Sequence, residues 1–219
     1  MEQKDYSELA NQLSCPHGED GVMIGNRMFV SNSNMIFKTI DRLNIKTNDS
    51  VLELGFGSGR HLPYMFEQGA NIRYVGIEVS KVMIDLATDL NLKLIKEQKI
   101  EFLLGDGSAN FKVEDDSFTH CLVVNTIYFW EDPVKYLQEI FRILKTNGTV
   151  AFTYIREDFA HTLPFVIDSI FHLHRTERLM RLMTNIGYRD VEQIQYLENT
   201  IDKIGNKVTR PFVILKGIK

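Results

Sequence analysis

The chain has little of what would place it in a special class. Of its 219 residues only two are cysteines, Cys15 and Cys121, far apart in sequence. That argues against a disulfide framework and against a cysteine-based metal cluster. No apolar run approaches the roughly 20 residues of a membrane span. The longest, "CLVVNTIYFW", is interrupted by Asn125 and Thr126 and reads as a buried strand. The opening "MEQKDYSELANQL" lacks the apolar core of a signal peptide. An excess of basic residues is also missing. The net charge is -4, which disfavours a nucleic-acid partner, since phosphate binding wants a basic face. Internal repeats and low-complexity segments are absent. The expectation from these absences is a soluble, cytoplasmic protein without a membrane span. With 44% hydrophobic and 25% charged residues, the composition is ordinary for one globular domain.

What is present is order. Residues 1–32 carry glycines, Asn and Ser and read as an N-terminal arm or lid, mostly loop. A helix is expected from Ser33 or Asn34, both good N-caps, to about Leu43. From Val51 onward strands and helices alternate. "SVLEL", "IRYVGIE", "KIEFLLGD", "DSFTHCLVVN" and "TVAFTYI" read as five strands. "SKVMIDLATDLNLKLIKEQ" reads as one helix capped by Ser80. Asp132 and Pro133 start another, with Gly148 past its end. Residues 156–187 look helical and rich in aromatics and histidine. "YRDVEQIQYL" and "VTRPFVILKGI" look like two final strands joined by a long hairpin connection. Regular alternation predicts an α/β fold, a doubly wound and mostly parallel sheet with helices on both faces. The C-terminal pair adds an antiparallel hairpin.

Ligands bind such sheets outside the carboxyl ends of the strands. Four of those ends carry glycines or a polar residue: Gly55–Gly59, Glu78, Asp106 and Asn125. The glycine loop follows a strand and opens a helix, the setting of nucleotide sites. Its spacing is not that of a dinucleotide fingerprint, because Arg60 stands where the last glycine belongs. It is not a phosphate loop either, since no Lys-Ser or Lys-Thr pair follows.

"VLELGFGSGRHL" resembles the first motif of class I S-adenosylmethionine-dependent methyltransferases. "YVGIEVSKVMIDLA" is similar to the second. "LLGDGSANFKVEDDSFTHCLVVNTIYFWEDPVKYLQEIFRILKTNGTVAFT" looks like the remainder of the small-molecule branch, the type that includes ubiquinone and menaquinone biosynthesis enzymes. The resemblance spans about residues 33–155, within a single domain of residues 33–219. It departs from the pattern at Thr119, where an acid is usual, and at "LKTNG", which lacks a proline. The resemblance implies roles. Gly55, Gly57 and Gly59 would floor the methionine part of S-adenosylmethionine, with Glu53 reaching its ammonium through water. Glu78, with Val79 beside it, would accept from the ribose hydroxyls. Asp106 and Gly107 would meet the adenine amino group and Met83 its face. Asn125 would stand near the methionine end. No metal is implied.

Methyl transfer from a sulfonium is an in-line displacement with a neutral leaving group, so no acid is needed. A base is needed only where the acceptor must lose a proton. His161 is the candidate base, with His172 and His174 behind it, in a substrate cap over residues 156–187. Tyr128 and Trp130 are expected to touch the acceptor. Met28, Phe29 and Asn32 of the arm are expected to close over both ligands, whereas Cys15 is a bystander. The function expected is methylation of a small molecule. The alternatives are a protein or RNA methyltransferase, or a non-catalytic cofactor-binding protein of the same fold.

Overall fold

The computed structural model describes residues 6–219, so the first five residues of the expected arm lie outside the described ones. Two helices, α1 (Ser7–Ser14) and α2 (Gly21–Leu43), come first. Then follow β1 (Ser50–Leu54), α3 (Leu62–Phe66), β2 (Arg73–Glu78), α4 (Lys81–Leu90), α5 (Leu92–Glu97) and β3 (Lys99–Leu104). The second half holds β4 (Phe118–Val124), α6 (Pro133–Ile143), β5 (Leu144–Ile155), α7 (Glu157–Ala160), α8 (Thr176–Ile186), β6 (Arg189–Ile201) and β7 (Lys207–Ile218).

The seven strands form one sheet in the order β3-β2-β1-β4-β5-β7-β6. The first five pair in parallel, while β7 runs antiparallel to both β5 and β6. Successive side chains on a strand face opposite ways, and the core divides accordingly. Leu52, Cys121, Val123 and Phe152 join α6 and α8 on one face; Val51, Leu122 and Ala151 join α2 on the other. Helix α6 is docked by Leu137, Ile140 and Ile143, all fully buried. Each such side chain contributes about 1.5–3 kcal/mol. The unusual Thr119 also has a structural use. Its hydroxyl accepts from the Ser50 N–H at 3.0 Å and donates to the Ser50 carbonyl at 3.0 Å, knitting β4 to β1.

Several boundaries differ from those expected. Residues 21–32 are not loop, because α2 begins at Gly21 and passes Ser33 without a break. Gly21 and Gly25 are tolerated inside it because α4 packs there. A Cβ on Gly25 would lie 2.4 Å from the Met83 sulfur. The helix expected after Ser80 is capped as foreseen, with the Ser80 hydroxyl accepting from the Met83 N–H. It breaks at Asn91, whose amide donates to the carbonyls of Gly59 (3.2 Å) and Ala87 (2.8 Å). Helix α6 has its Asp132 cap but stops at Ile143, where β5 already begins. Residues 156–187 are helical only in α7 and α8. The final strands are longer than expected, and only residues 202–206 turn between them.

Candidate functional site

The strand ends meet at a cavity of about 650 Å³. Its wall includes Glu53, Gly55, Gly57, Glu78, Val79, Met83, Asp106, Gly107 and Asn125. The parallel register puts these residues together. Leu54 pairs with Ile77 and Val123, and Glu78 pairs with Leu104, so four successive loops leave the sheet at one edge.

The glycine loop is held by its neighbours. Gly55 has φ +72°, a region costly for residues with a side chain. A Cβ there would lie 2.3 Å from Thr126 Oγ1. The Gly55→Ala substitution should therefore destabilise the fold by about 2–3 kcal/mol, strain and clash together. Denaturant titration measures this, and Thr126→Ala in the same chain should restore part of the loss. Gly57 has φ +57°, and nothing lies within 4 Å of a Cβ placed on it, so its backbone faces open cavity. Gly59 does not line the cavity, contrary to expectation. It packs on α4, where a Cβ would approach Ala87 to 3.0 Å.

Two carboxylates are buried at the cavity wall. Glu78 Oε2 accepts from the Gly57 N–H at 3.0 Å, and Oε1 accepts from Val79 (2.8 Å) and Ser80 (3.0 Å). Burial raises its pKa despite these bonds, and the charge of Glu53 adds to the rise. Glu53 Oε2 accepts from Tyr74 Oη at 2.7 Å and lies 2.7 Å from His61 Nε2. Burial, then the charge of Glu53, holds the Tyr74 phenol far above its ordinary range, so it stays a proton donor. The His61–Tyr74 clamp on Glu53 was not foreseen: both residues lie inside the quoted motifs, but their spacing alone does not show that their side chains converge on Glu53.

Asp106 is more exposed. Its Oδ1 accepts from the Ser108 hydroxyl (2.6 Å) and N–H (2.9 Å), which hold its pKa below the usual range. Met83 lines the cavity while its sulfur end fills the notch at Gly25. Asn125 has φ +55°, and its side-chain oxygen accepts from Tyr128 Oη at 3.0 Å.

The expected acceptor residues separate. Trp130 stacks on Tyr136 at 4.3 Å, and the Tyr136 hydroxyl donates to the Gly107 carbonyl. Trp130 therefore stands by the Asp106–Gly107 loop. Tyr128 lies instead in a second, smaller cavity of about 60 Å³, together with Phe159, Leu163, Phe165 and Phe171. Leu13, Met28, Asn32, Asn125 and Phe129 line both cavities. Phe29 and Pro16 line the large one, and the Ser80 hydroxyl donates to the Pro16 carbonyl. The histidines fall elsewhere. His161 is largely exposed, 3.8 Å from Glu157, because it ends the short α7 on its outer side. Neither it nor His172 or His174 lines either cavity. Arg210 and Lys203, which do line the small cavity, were missed; they sit in a hairpin with no motif.

The donor set fits a cationic nucleoside better than a phosphorylated one. Among the described residues, five carboxylates line the large cavity (Glu53, Glu78, Glu101, Asp106, Glu114), against two cations, Arg73 and Lys112. The bare Gly57 backbone leaves room for a ligand, and Glu78 presents a buried acceptor suited to a pair of hydroxyls.

Residues 52–152 match the family described as methyltransferase domain. Fold, site and this match, which spans a little under half of the chain, give the class: the chain carries a methyltransferase domain and is an S-adenosylmethionine-dependent methyltransferase. Among individual proteins it is similar to the uncharacterized methyltransferase YdaC of Bacillus subtilis. The two are 29% identical over 132 residues, 60% of this chain and 70% of that one. It is 25% identical to the uncharacterized protein MJ1123 of Methanocaldococcus jannaschii, over 70% of this chain and 71% of that one. The fold matches a methyltransferase from Aquifex aeolicus with TM-score 0.63 at 18% identity, covering 99% of each chain. Phosphoethanolamine N-methyltransferase 2 of Haemonchus contortus, solved with S-adenosylmethionine, matches with TM-score 0.72 at 16% identity. That alignment covers 100% of this chain and 60% of that one. At such identities the likeness is one of fold.

Proposed function

We propose that the enzyme methylates a small molecule held in the smaller cavity. One observation carries this reading: the two cavities share five lining residues, and α1, α2 and the segment after β5 enclose the smaller one. A chamber of about 60 Å³ suits a compact acceptor, or the reactive end of one, and not a folded protein or a nucleic-acid duplex. The net charge of -4 also disfavours RNA.

When bound, S-adenosylmethionine supplies an electrophilic methyl group on a sulfonium. In this reading Glu78 accepts from the ribose hydroxyls, and Asp106 with the Gly107 backbone receives the adenine edge. The Gly55–Gly57 turn and Glu53, clamped by His61 and Tyr74, receive the amino-acid end. Asn125 and Phe129 stand where the chambers meet and orient the acceptor, while the N-terminal helices exclude water. His161 has no part in this scheme, because its side chain lies outside both chambers. The buried thiol of Cys121, its pKa raised by burial, fits a cytoplasmic protein that stays reduced.

Incubation with methyl-labelled cofactor and fractionated cell extract tests the reading. Label is expected in the low-molecular-mass fraction. Label confined to protein or RNA would refute it. Removing residues 1–20 should weaken S-adenosylhomocysteine binding about tenfold by calorimetry, because Ser14 and Pro16 line the cavity and the Pro16 carbonyl accepts from the Ser80 hydroxyl that caps α4.

A further inference from the structure

We propose that Lys203 anchors an anionic group on a compact, apolar methyl acceptor bound in the smaller cavity; this rests on the methyl-transfer reading above. Lys203 sits in the turn between β6 and β7 and reaches across to α2. Its Nζ donates to Asn32 Oδ1 at 3.2 Å and to the Met28 carbonyl at 3.4 Å, both long. Part of the residue remains exposed, but Lys203 and both residues that accept from its Nζ, Met28 and Asn32, line the chamber walled by Phe159, Leu163, Phe165 and Phe171.

The charge there has no partner of its own. Asp202 spends its carboxylate on the N–H groups of Ile204 and Asn206 and on the Asn206 amide. Glu198 is held by Arg210, at 2.9 and 2.6 Å, and by the Asn34 amide. From α2 the neutral Asn32 and Met28 face it, and the aromatic wall brings no charge. Among the described residues no carboxylate lies within 4.0 Å of Lys203 Nζ. A cation in apolar surroundings is costly unless it is paired. Burial first, and then the charge of Arg210, bring its pKa down to about 7, against the smaller opposing pull of Glu198 and Asp202. An anion entering the chamber supplies the missing partner and draws a proton onto Lys203. Charge therefore selects the ligand, and the aromatic walls select its body.

The test uses the full chain saturated with S-adenosylhomocysteine, with benzoate, phenyl phosphate and benzamide as probes. Calorimetry in two buffers of different ionisation heat counts protons. Benzoate or phenyl phosphate should bind at least tenfold tighter than benzamide, with proton uptake at pH 7.5. Affinity should fall as the pH rises from 7 to 8.5. The stronger of the two anions tells whether a carboxylate or a phosphate is the natural group. Lys203→Met should abolish both the preference and the uptake. Lys203→Arg should keep the preference and lose its pH dependence. The melting temperature of each variant reports folding. If S-adenosylhomocysteine itself does not bind the unaltered chain, the cofactor reading fails. If it binds, but no probe does, or benzamide matches the anions, or Lys203→Met retains the preference, the assignment of Lys203 is overturned.

Discussion

Replacing Glu78 with alanine is expected to weaken S-adenosylhomocysteine binding about 100-fold. The carboxylate is buried, 6% exposed, and in the proposed site it accepts from two hydroxyls. A hydrogen bond to a charged group contributes about 1.5–3 kcal/mol. Two of them come to roughly 3 kcal/mol or more, hence two orders of magnitude. The same carboxylate orders the Gly57, Val79 and Ser80 N–H groups, so the alanine variant also loosens the loop. Glu78→Gln keeps the shape and removes the charge; it should lose about tenfold. The pH profile separates these effects. Burial holds the folded pKa of Glu78 above its unfolded value. Its contribution to stability is therefore whole below the unfolded pKa and lost as the pH rises through the folded one. Hydroxyl donors favour the ionised form, so ligand binding should tighten as the pH climbs through that raised pKa. In Glu78→Gln this dependence should be gone. Isothermal titration of the three proteins between pH 4.5 and 7.5 decides it, and an alanine variant within threefold of the unaltered chain would remove Glu78 from the site.

The second large effect is on folding. Arg210→Ala should cost about 3–5 kcal/mol, because it strands the buried carboxylate of Glu198. Arg210 is 2% exposed and Glu198 9%. Besides their ion pair, Arg210 Nη2 donates to the Ser31 carbonyl and Nη1 to Ser31 Oγ at 3.3 Å, fastening the C-terminal hairpin to α2. The change should lower the urea midpoint with little change in its slope. Glu198→Gln in the same background should return part of the loss, since it removes the stranded charge. A loss below 1 kcal/mol for Arg210→Ala would mean that Glu198 finds water or Asn34 sufficient.

That the strand-end residues gather at one cavity was legible because their signals are local. Glu53, the glycines, Glu78, Asp106 and Asn125 each mark the end of a strand, and a parallel sheet delivers strand ends to one edge. Ser80 and Asp132 announced their helices by capping chemistry that acts over three residues. The positions of the residues expected to meet the acceptor were not legible in this way. His161 looked apt by residue type and position, yet one turn of α7 points it outward. Trp130 and Tyr128 are two residues apart and serve different chambers, since the short turn at Ile127–Phe129 sends them opposite ways.

By itself the amino-acid order determined the strand-and-helix alternation, the single sheet and the carboxylates along its edge. Period, caps and turns are properties of neighbouring residues, and they need no distant partner to be read. Only the tertiary structure decided that α2 closes the cavity as one unbroken helix, and that Arg210 and Lys203 come to rest against Ser31 and Asn32. Those contacts join residues 171 and 179 positions apart. Their cause is the packing of the last hairpin on the first long helix, which no local pattern encodes.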